Sequence, residues 1–373
     1  MRPTHLTRLS FPIPDDLCLL VEGSNGFVDS VARQLDPYVA GPMDGSAALL
    51  TISETSDGRR AIRELQNLAG DGWVTAHDGE RLLIVANGRT CSLPDGRGII
   101  SVEPGFPTRR LMSVVRPALQ LALLERGIPV LHAASVEIDG RGILVAGWSE
   151  SGKTETALAL VELGASFISD KWTLLLPGAR AGAFPIGVGV RRWVLGYLPQ
   201  LRSSLPGGAR SQLRAAALAT AVTAPIRNRS WGGAPGLVVE LARRAVELGD
   251  RAALTPREVR AAYGDTRNAT RTVPIGLVVV LRNSPSSEVT IEAGDPTRLA
   301  TRLAVSAATE REAFLALRRR AAYAEARPTT VDDLIARDAA SIEPVFAHLP
   351  LVEVTAPFPT DPREVARQIA GRL

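Results

Sequence analysis

The sequence predicts an α/β chain with a mixed sheet at its centre, a smaller N-terminal α+β module and a helical insertion. Three observations lead there. The apolar stretch Gly142-Ile-Leu-Val-Ala146 reads as a buried strand and runs into Gly147-Trp148-Ser149-Glu150-Ser151-Gly152-Lys153-Thr154, after which Ala157, Leu158, Leu160 and Val161 share one helical face. Asp139-Gly140 sits between that strand and an apolar run before it, the short-range signal for a hairpin, so the strand has an antiparallel neighbour. Pro274 to Leu281 is apolar enough for a central strand covered on both faces.

In order, residues 1 to about 105 form the N-terminal module. Leu17 to Val21, Ala47 to Ile52 and Arg81 to Ala86 read as strands, and Arg59 to Ala69 as a helix. Asp78-Gly79 and Asp95-Gly96 are turns, with His77 a turn residue beside the first. With no catalytic constellation in it, this module is expected to dock a partner or select a substrate. Thr108 to Arg126 is a connecting helix stopped by Gly127, placed at residues 106–128 between the modules.

Residues 129–373 make the second domain. Pro129 to Ile138 reads as one strand, Phe167 to Asp170 as a short strand ending in a carboxylate, and Thr173 to Leu176 and Phe184 to Val190 as two more. From about 191 to 271 the pattern turns helical, over Gln212 to Val222, Gly236 to Leu248 and Thr255 to Tyr263; the last carries a capping box from Thr255 to Glu258. The basic, glycine-rich stretch Pro225 to Pro235, with Trp231, reads as a lid. Helices at Glu310 to Arg327 and Val331 to Phe346, a strand at Leu349 to Val354 and a helix opening at Asp361-Pro362 complete the chain.

Composition narrows the function. The 373 residues carry a formal net charge of +4, and the basic residues are all arginine except Lys153 and Lys171. In so arginine-rich a chain, two surviving lysines mark places where a compact ammonium is needed, so Lys171 joins Lys153 as a site candidate. Arginine clusters at Arg109-Arg110, Arg191-Arg192, Arg243-Arg244 and Arg318 to Arg320 lie among acidic residues without interleaved aromatics, which argues against nucleic acid as a partner. No apolar run has the length of a membrane span, and the first residues do not form a secretory signal, so a cytoplasmic location is expected. Cys18 and Cys91 have no metal-ligand spacing.

The segment Gly147 to Thr154 has the spacing of a phosphate-binding loop. About 0.002 accidental matches are expected for this composition and length. Glycines let backbone N–H groups converge on phosphate oxygens, and the following helix adds the positive end of its dipole. Gly147, Ser149, Glu150, Ser151, Gly152, Lys153, Thr154 and Glu155 are the nucleotide-binding candidates, with Lys153 on the terminal phosphates and the Thr154 hydroxyl on Mg²⁺. A strand-end aspartate such as Asp170 either caps a turn or, near such a loop, holds Mg²⁺ or takes a proton.

From His132 to Asp170 the chain resembles the HPr kinase/phosphorylase family. The likeness is carried by Leu131-His132-Ala133-Ala134, the hairpin at Asp139-Gly140, the loop running on into Glu155-Thr156-Ala157-Leu158, and Gly164 followed by Ile168-Ser169-Asp170. The resemblance implies a nucleotide-binding core like that of phosphoenolpyruvate carboxykinases, ATP and Mg²⁺ as cofactors, Lys153 and Thr154 binding phosphates and Mg²⁺, Asp170 in proton transfer and His132 beside the reaction centre; Asp170 as a second metal-binding residue, beside Thr154, comes from its place at the strand end. Lys171 stands where the enzymes acting on HPr carry a second aspartate.

The expected activity is therefore an ATP-dependent kinase acting on a hydroxyl of a peptide, protein or small molecule, HPr itself being disfavoured. Asp170, His132, Lys153 and Lys171 are its catalytic candidates, Arg282 a weaker one, and self-association is left open. The alternative is a nucleotide-binding regulator or scaffold without turnover.

Overall fold

The structure, a computed structural model, describes residues 6–41, 47–55, 63–65, 74–77, 82–227, 250–285, 288–322, 330–357 and 359–372. At its N-terminus, β1 (Thr7–Ile13) and β2 (Leu17–Gly23) form a hairpin whose connection holds Asp15 and Asp16 at positive φ. Helix α1 (Asn25–Gln34) buries Phe27, Val28 and Val31. Then come β3 (Ala47–Glu54), β4 (Arg63–Leu65), β5 (Val74–His77), β6 (Leu82–Ala86), β7 (Arg89–Ser92) and β8 (Ile99–Val102), in a sheet ordered β1-β2-β3-β8-β7-β6-β5-β4.

The helix expected over 59–69 is corrected here: Arg63–Leu65 pairs antiparallel with β5, and the rest of that stretch lies outside the described residues. Arg, Glu and Leu favour helix in isolation, but edge pairing to an existing strand outweighs a propensity of a few tenths of a kcal/mol, ~0.5 at most per residue. His77 ends β5 rather than sitting in a turn.

Helix α2 (Thr108–Glu125) ends before Gly127, whose φ of 75° suits glycine. Its buried Leu111, Val114, Val115 and Leu119 belong to one hydrophobic core that also holds Leu19 and Ile52 of the first sheet and Val130, Trp172, Leu174 and Phe184 beyond it.

The continuous strand expected over 129–138 is broken at His132 into β9 (Val130–Leu131) and β10 (Ala133–Ile138). The hairpin survives: Asp139 and Gly140, both at positive φ, join β10 to β11 (Arg141–Gly147). Helix α3 (Lys153–Glu162) leads to β12 (Ser166–Ser169) and β13 (Thr173–Leu176). The single strand expected at 184–190 is replaced by β14 (Arg180–Ala183) and β15 (Val188–Arg191) on either side of a turn.

The 191–271 stretch is helical only in part. After a 3₁₀ turn at Arg192–Gly196, α4 (Pro199–Ser204) and α5 (Gly207–Arg227), the strand β16 (Arg251–Leu254) pairs with β15, and α6 (Pro256–Ala262) follows with the expected capping box. The helix expected at 236–248 and most of the lid stretch lie outside the described residues.

Strand β17 (Val273–Asn283) is the spine of the second sheet. One edge runs parallel to β11; the other pairs with β14 at its start and with the parallel β19 (Leu351–Ala356) further along, β18 (Thr290–Ala293) lying outside β19. Alternation sorts its side chains: Leu277, Val279 and Leu281 join Val145, Leu158 and Ile369 on one face, while Val278 and Val280 join Leu144, Leu299 and Phe346 on the other. This is a mixed sheet covered by helices on both sides.

On the second face lie α7 (Pro296–Glu310) and α9 (Val331–Phe346), with α10 (Pro362–Ala370) on the first, while α8 (Glu312–Ala321) buries Phe314, Leu315 and Leu317 in the core around α2. Sequence reading began a helix at Glu310; instead α7 ends there, its start set by the Asp295 side chain accepting from Arg298 N at 3.1 Å. At the α7–α8 junction Arg311 is 2% exposed. It donates to Asp338 Oδ2 at 2.8 Å, Gln120 Oε1 at 2.7 Å and the Val130 carbonyl at 3.2 Å.

Removing one partner of a buried ion pair strands the other charge. Asp338→Ala is expected to lower the unfolding free energy by about 3–5 kcal/mol in urea titrations, whereas the exposed pair Arg97–Asp95 should contribute under about 1 kcal/mol.

Candidate functional site

Register brings the candidates together. Ala133 pairs with Ala146, so His132 stands one step beyond, level with Gly147 at the head of the loop. On the other edge of β10, Ser135 pairs with Ser169, the last residue before Asp170. Two breaks, at His132 and at 170–172, thus lie side by side, because β9 and β13 pair with each other in one branch of the sheet while β10 and β12 pair in the other. The Thr173 hydroxyl, donating to the Ala133 carbonyl at 3.0 Å, bridges them.

The loop from Gly147 to Thr154 is held by close packing. A Cβ on Gly147, at φ 150°, would meet Ser151 Oγ at 2.5 Å and the Leu281 carbonyl at 2.8 Å. Gly152 caps α3 in the left-handed region, at φ 94°. Ser151 Oγ is buried without a hydrogen-bond partner among the described residues, a polar atom left for something that enters the loop. Lys153 folds back over the loop and donates to the Gly147 and Trp148 carbonyls at 2.9 and 2.6 Å.

Around the loop, exposed Glu150 accepts from Arg191 and Arg251 of the β15–β16 ribbon, and Arg191 Nε lies 4.0 Å from the buried Glu155. The ribbon that carries the insertion is therefore fastened to the loop. Ser149 faces a cavity beside it.

Thr154 Oγ1 lies 2.9 and 3.1 Å from the two oxygens of Asp170, donating to that carboxylate. Burial raises the Asp170 pKa to about 6, against the opposing pull of the Thr154 hydrogen bond. Burial lowers Lys153 to about 8, with Asp170 and Glu310 pulling the other way. The two groups titrate on either side of neutrality, an acid and a cation in one small volume.

Lys171 adopts a left-handed backbone, φ 62°, which costs a non-glycine residue about 1–2 kcal/mol. Around it Trp172 N donates to the Asp170 carbonyl at 2.7 Å, and Ser169 Oγ donates to the Trp172 carbonyl at 2.6 Å. The Lys171 ammonium is turned to Glu310 at 2.8 Å. Burial opposes ionisation of Glu310, but the Lys171 hydrogen bond and charge hold its pKa below the ordinary value. Arg282, the weaker candidate, pairs with Glu353 at 3.1 Å.

His132 is buried. Its Nδ1 makes a 2.6 Å hydrogen bond with Ser306 Oγ, and its ring lies 5.2 Å from that of Trp172, which has the Arg311 guanidinium 5.5 Å from its centroid. Burial first, then the Lys153 charge, drive the His132 pKa far below its ordinary value, so the ring is a neutral imidazole. Ser306 and Glu310 were not foreseen in the sequence. The Asp295-Pro296 start signal could have located α7, but nothing local says that its last turns face His132 and Lys171.

Oxygen donors such as Thr154 and Asp170 suit Mg²⁺, which takes one or two protein ligands and fills the rest with water and phosphate oxygens. Among the described residues no group of three or more His, Cys, Asp or Glu gathers as a separate metal site. No described helix is long and apolar enough to cross a membrane.

The fold and site define a mixed-sheet α/β protein with a glycine-rich strand-to-helix loop against a buried acid. No protein-family profile matches the chain. It is 44% identical over 63 residues to an HPr kinase/phosphorylase of Lactobacillus delbrueckii subsp. bulgaricus, covering 17% of this chain and 19% of that protein. The match to the HPr kinase/phosphorylase of Lacticaseibacillus casei is 44% over 65 residues, 17% of this chain and 20% of the relative. The chain thus matches only about one fifth of the length of these curated relatives, a partial similarity to a kinase family.

A buried neutral histidine has a signature. Unfolding frees His132 to bind a proton below its ordinary pKa, so stability is expected to fall as pH drops below about 6.5. His132→Gln should flatten that part of the curve in urea unfolding at pH 7 and pH 5, and ¹⁵N spectra at pH 5 should show an uncharged ring.

Proposed function

We propose that the chain is an ATP-dependent kinase that transfers the terminal phosphoryl group to a hydroxyl of a peptide, protein or small molecule, with HPr disfavoured as acceptor. The observation that carries this reading is the contact between the Thr154 hydroxyl and the buried Asp170 carboxylate at the start of α3. The partial likeness to HPr kinase/phosphorylases supports it, as does a hairpin-fed loop of the kind seen in phosphoenolpyruvate carboxykinases. Division into residues 1–105, 106–128 and 129–373 belongs to the same proposal, the first serving to dock or select.

Backbone N–H groups from Gly147 to Glu155 would cradle the phosphates at the positive end of α3. Thr154 and Asp170 would hold Mg²⁺, which supplies charge neutralisation on the phosphate oxygens. Lys153, released from its two carbonyls, would take the charge of the terminal phosphate. The acceptor oxygen attacks the terminal phosphorus, the bond from that phosphorus to the bridging oxygen breaks, ADP leaves, and Asp170 receives the hydroxyl proton. Neutral His132 borders this centre and orients rather than adds charge. Lys171 would need to leave Glu310 to touch the transferring group.

Asp170 accepts a proton only when ionised, above about 6, and Lys153 is a cation only below about 8. With radiolabelled ATP and Mg²⁺, kcat/KM for transfer or hydrolysis is expected to be bell-shaped between those limits. Asp170→Asn should remove the acid limb and lower the rate by about 10²–10⁴-fold, while leaving binding of a fluorescent ATP analogue. Tight ATP binding with no turnover in wild type for any hydroxyl acceptor would favour a non-catalytic regulator.

A further inference from the structure

A cavity of about 450 Å³ opens beside the loop, between Gly147-Trp148-Ser149, the end of β17 and α7. Its walls include Leu281, Leu299 and Leu303, and two apolar residues at its edge, Trp148 and Val305, are 56% and 37% exposed. Ligand cavities are of this size and character, mostly apolar with a few placed polar groups. Its charged groups are Arg282 and Arg302, which share the single carboxylate of Glu353 at 3.1 and 3.3 Å; neutral polar side chains also line it, among them Ser149, Ser151, Asn283, Thr301 and Ser306, the last of which also bonds His132. Two guanidinium groups on one carboxylate leave the rim complementary to a further acid.

The loop's polarity says which ligand belongs there. The lysine of such a loop reaches the terminal phosphates, and here its ammonium lies against the Gly147 and Trp148 carbonyls, the end of the loop that lines the cavity. The nucleoside would leave by the opposite end, past the first turn of α3. Whatever occupies the cavity therefore sits at the reacting end, against the serine that contacts His132.

We infer that this cavity seats the phosphate acceptor, and that the acceptor is a peptide-like acid of roughly dipeptide size with an apolar side chain next to the reacting hydroxyl. Its side chain lies against Leu299, Leu303 and Val305, and its carboxylate lies at Arg282 and Arg302. This inference rests on the kinase reading and names its substrate class.

The test uses N-acetyl-Ser-Leu, its C-terminal amide and N-acetyl-Ser-Gly as probes, titrated calorimetrically into the full chain with Mg²⁺ and a non-hydrolysable ATP analogue. The leucine acid is expected to bind about tenfold more tightly than the glycine acid and about fivefold more tightly than its own amide. Val305→Glu, at a half-exposed position where a charge is tolerated, should bring leucine and glycine acids within about twofold while affinity for a fluorescent ATP analogue is kept. Arg302→Gln should erase only the difference between acid and amide.

Equal affinities for the leucine and glycine acids in wild type, or no binding of either at millimolar concentration, overturns the assignment. Loss of nucleotide affinity in Val305→Glu also overturns it, giving the cavity to the nucleoside and leaving the kinase reading intact. Leucine preference in a wild-type chain that binds no nucleotide sinks the kinase reading instead.

Discussion

Arg311 is a charge placed where water cannot reach it, and much of the molecule is arranged to make that tolerable. Burial lowers its pKa and raises that of Asp338, each against the other's opposing charge, so desolvation weighs on both partners. The cost is offset by three hydrogen bonds and a ring face around the guanidinium: Asp338 from α9, Gln120 from α2, the Val130 carbonyl of β9 and the face of Trp172. One planar group with five donors fastens the connecting helix, the branch of the sheet and the helical layer at one point. Even so, Asp338 Oδ1 has no partner among the described residues, which makes the pair a device for fixing geometry more than for adding stability.

What that geometry holds is the tear in the second sheet. A sheet with strands broken at the same level offers a gap where backbone is not consumed by ladder pairing, and His132 and Asp170 to Trp172 occupy it. Trp172 is squeezed between Arg311 and His132, and His132 is steered by Ser306. Burial then tunes the acids and bases: it raises Asp170, lowers Lys153 and silences His132. Those shifts share one cause, loss of water, with charge partners deciding only how far each goes.

Legibility in the sequence followed the range of the responsible interaction. The hairpin at Asp139-Gly140, the capping box at Thr255-Glu258 and the apolar run of β17 were readable because each is fixed by contacts within a few residues. The stretch 59–69 misled because its helical propensity is local while its strand pairing is not. The break at His132 was invisible, since Pro129 to Ile138 reads as one strand and only the competing partners β11 and β13 divide it. Lys171 stands out in the sequence as one of two lysines, yet its partner Glu310 lies more than a hundred residues away.

The sequence alone determined the glycine-rich loop and its flanking strand and helix, because spacing of glycine, lysine and threonine is itself the constraint on a tight strand-to-helix turn. It also determined that a short strand soon after leads into an acid, Asp170. Only the tertiary structure decided that this acid meets Thr154, that α7 brings Ser306 and Glu310 against His132 and Lys171, and that a cavity opens at the loop's leading end. Those depend on strand register and helix docking, which are set by burial summed over the whole core rather than by any short stretch of chain.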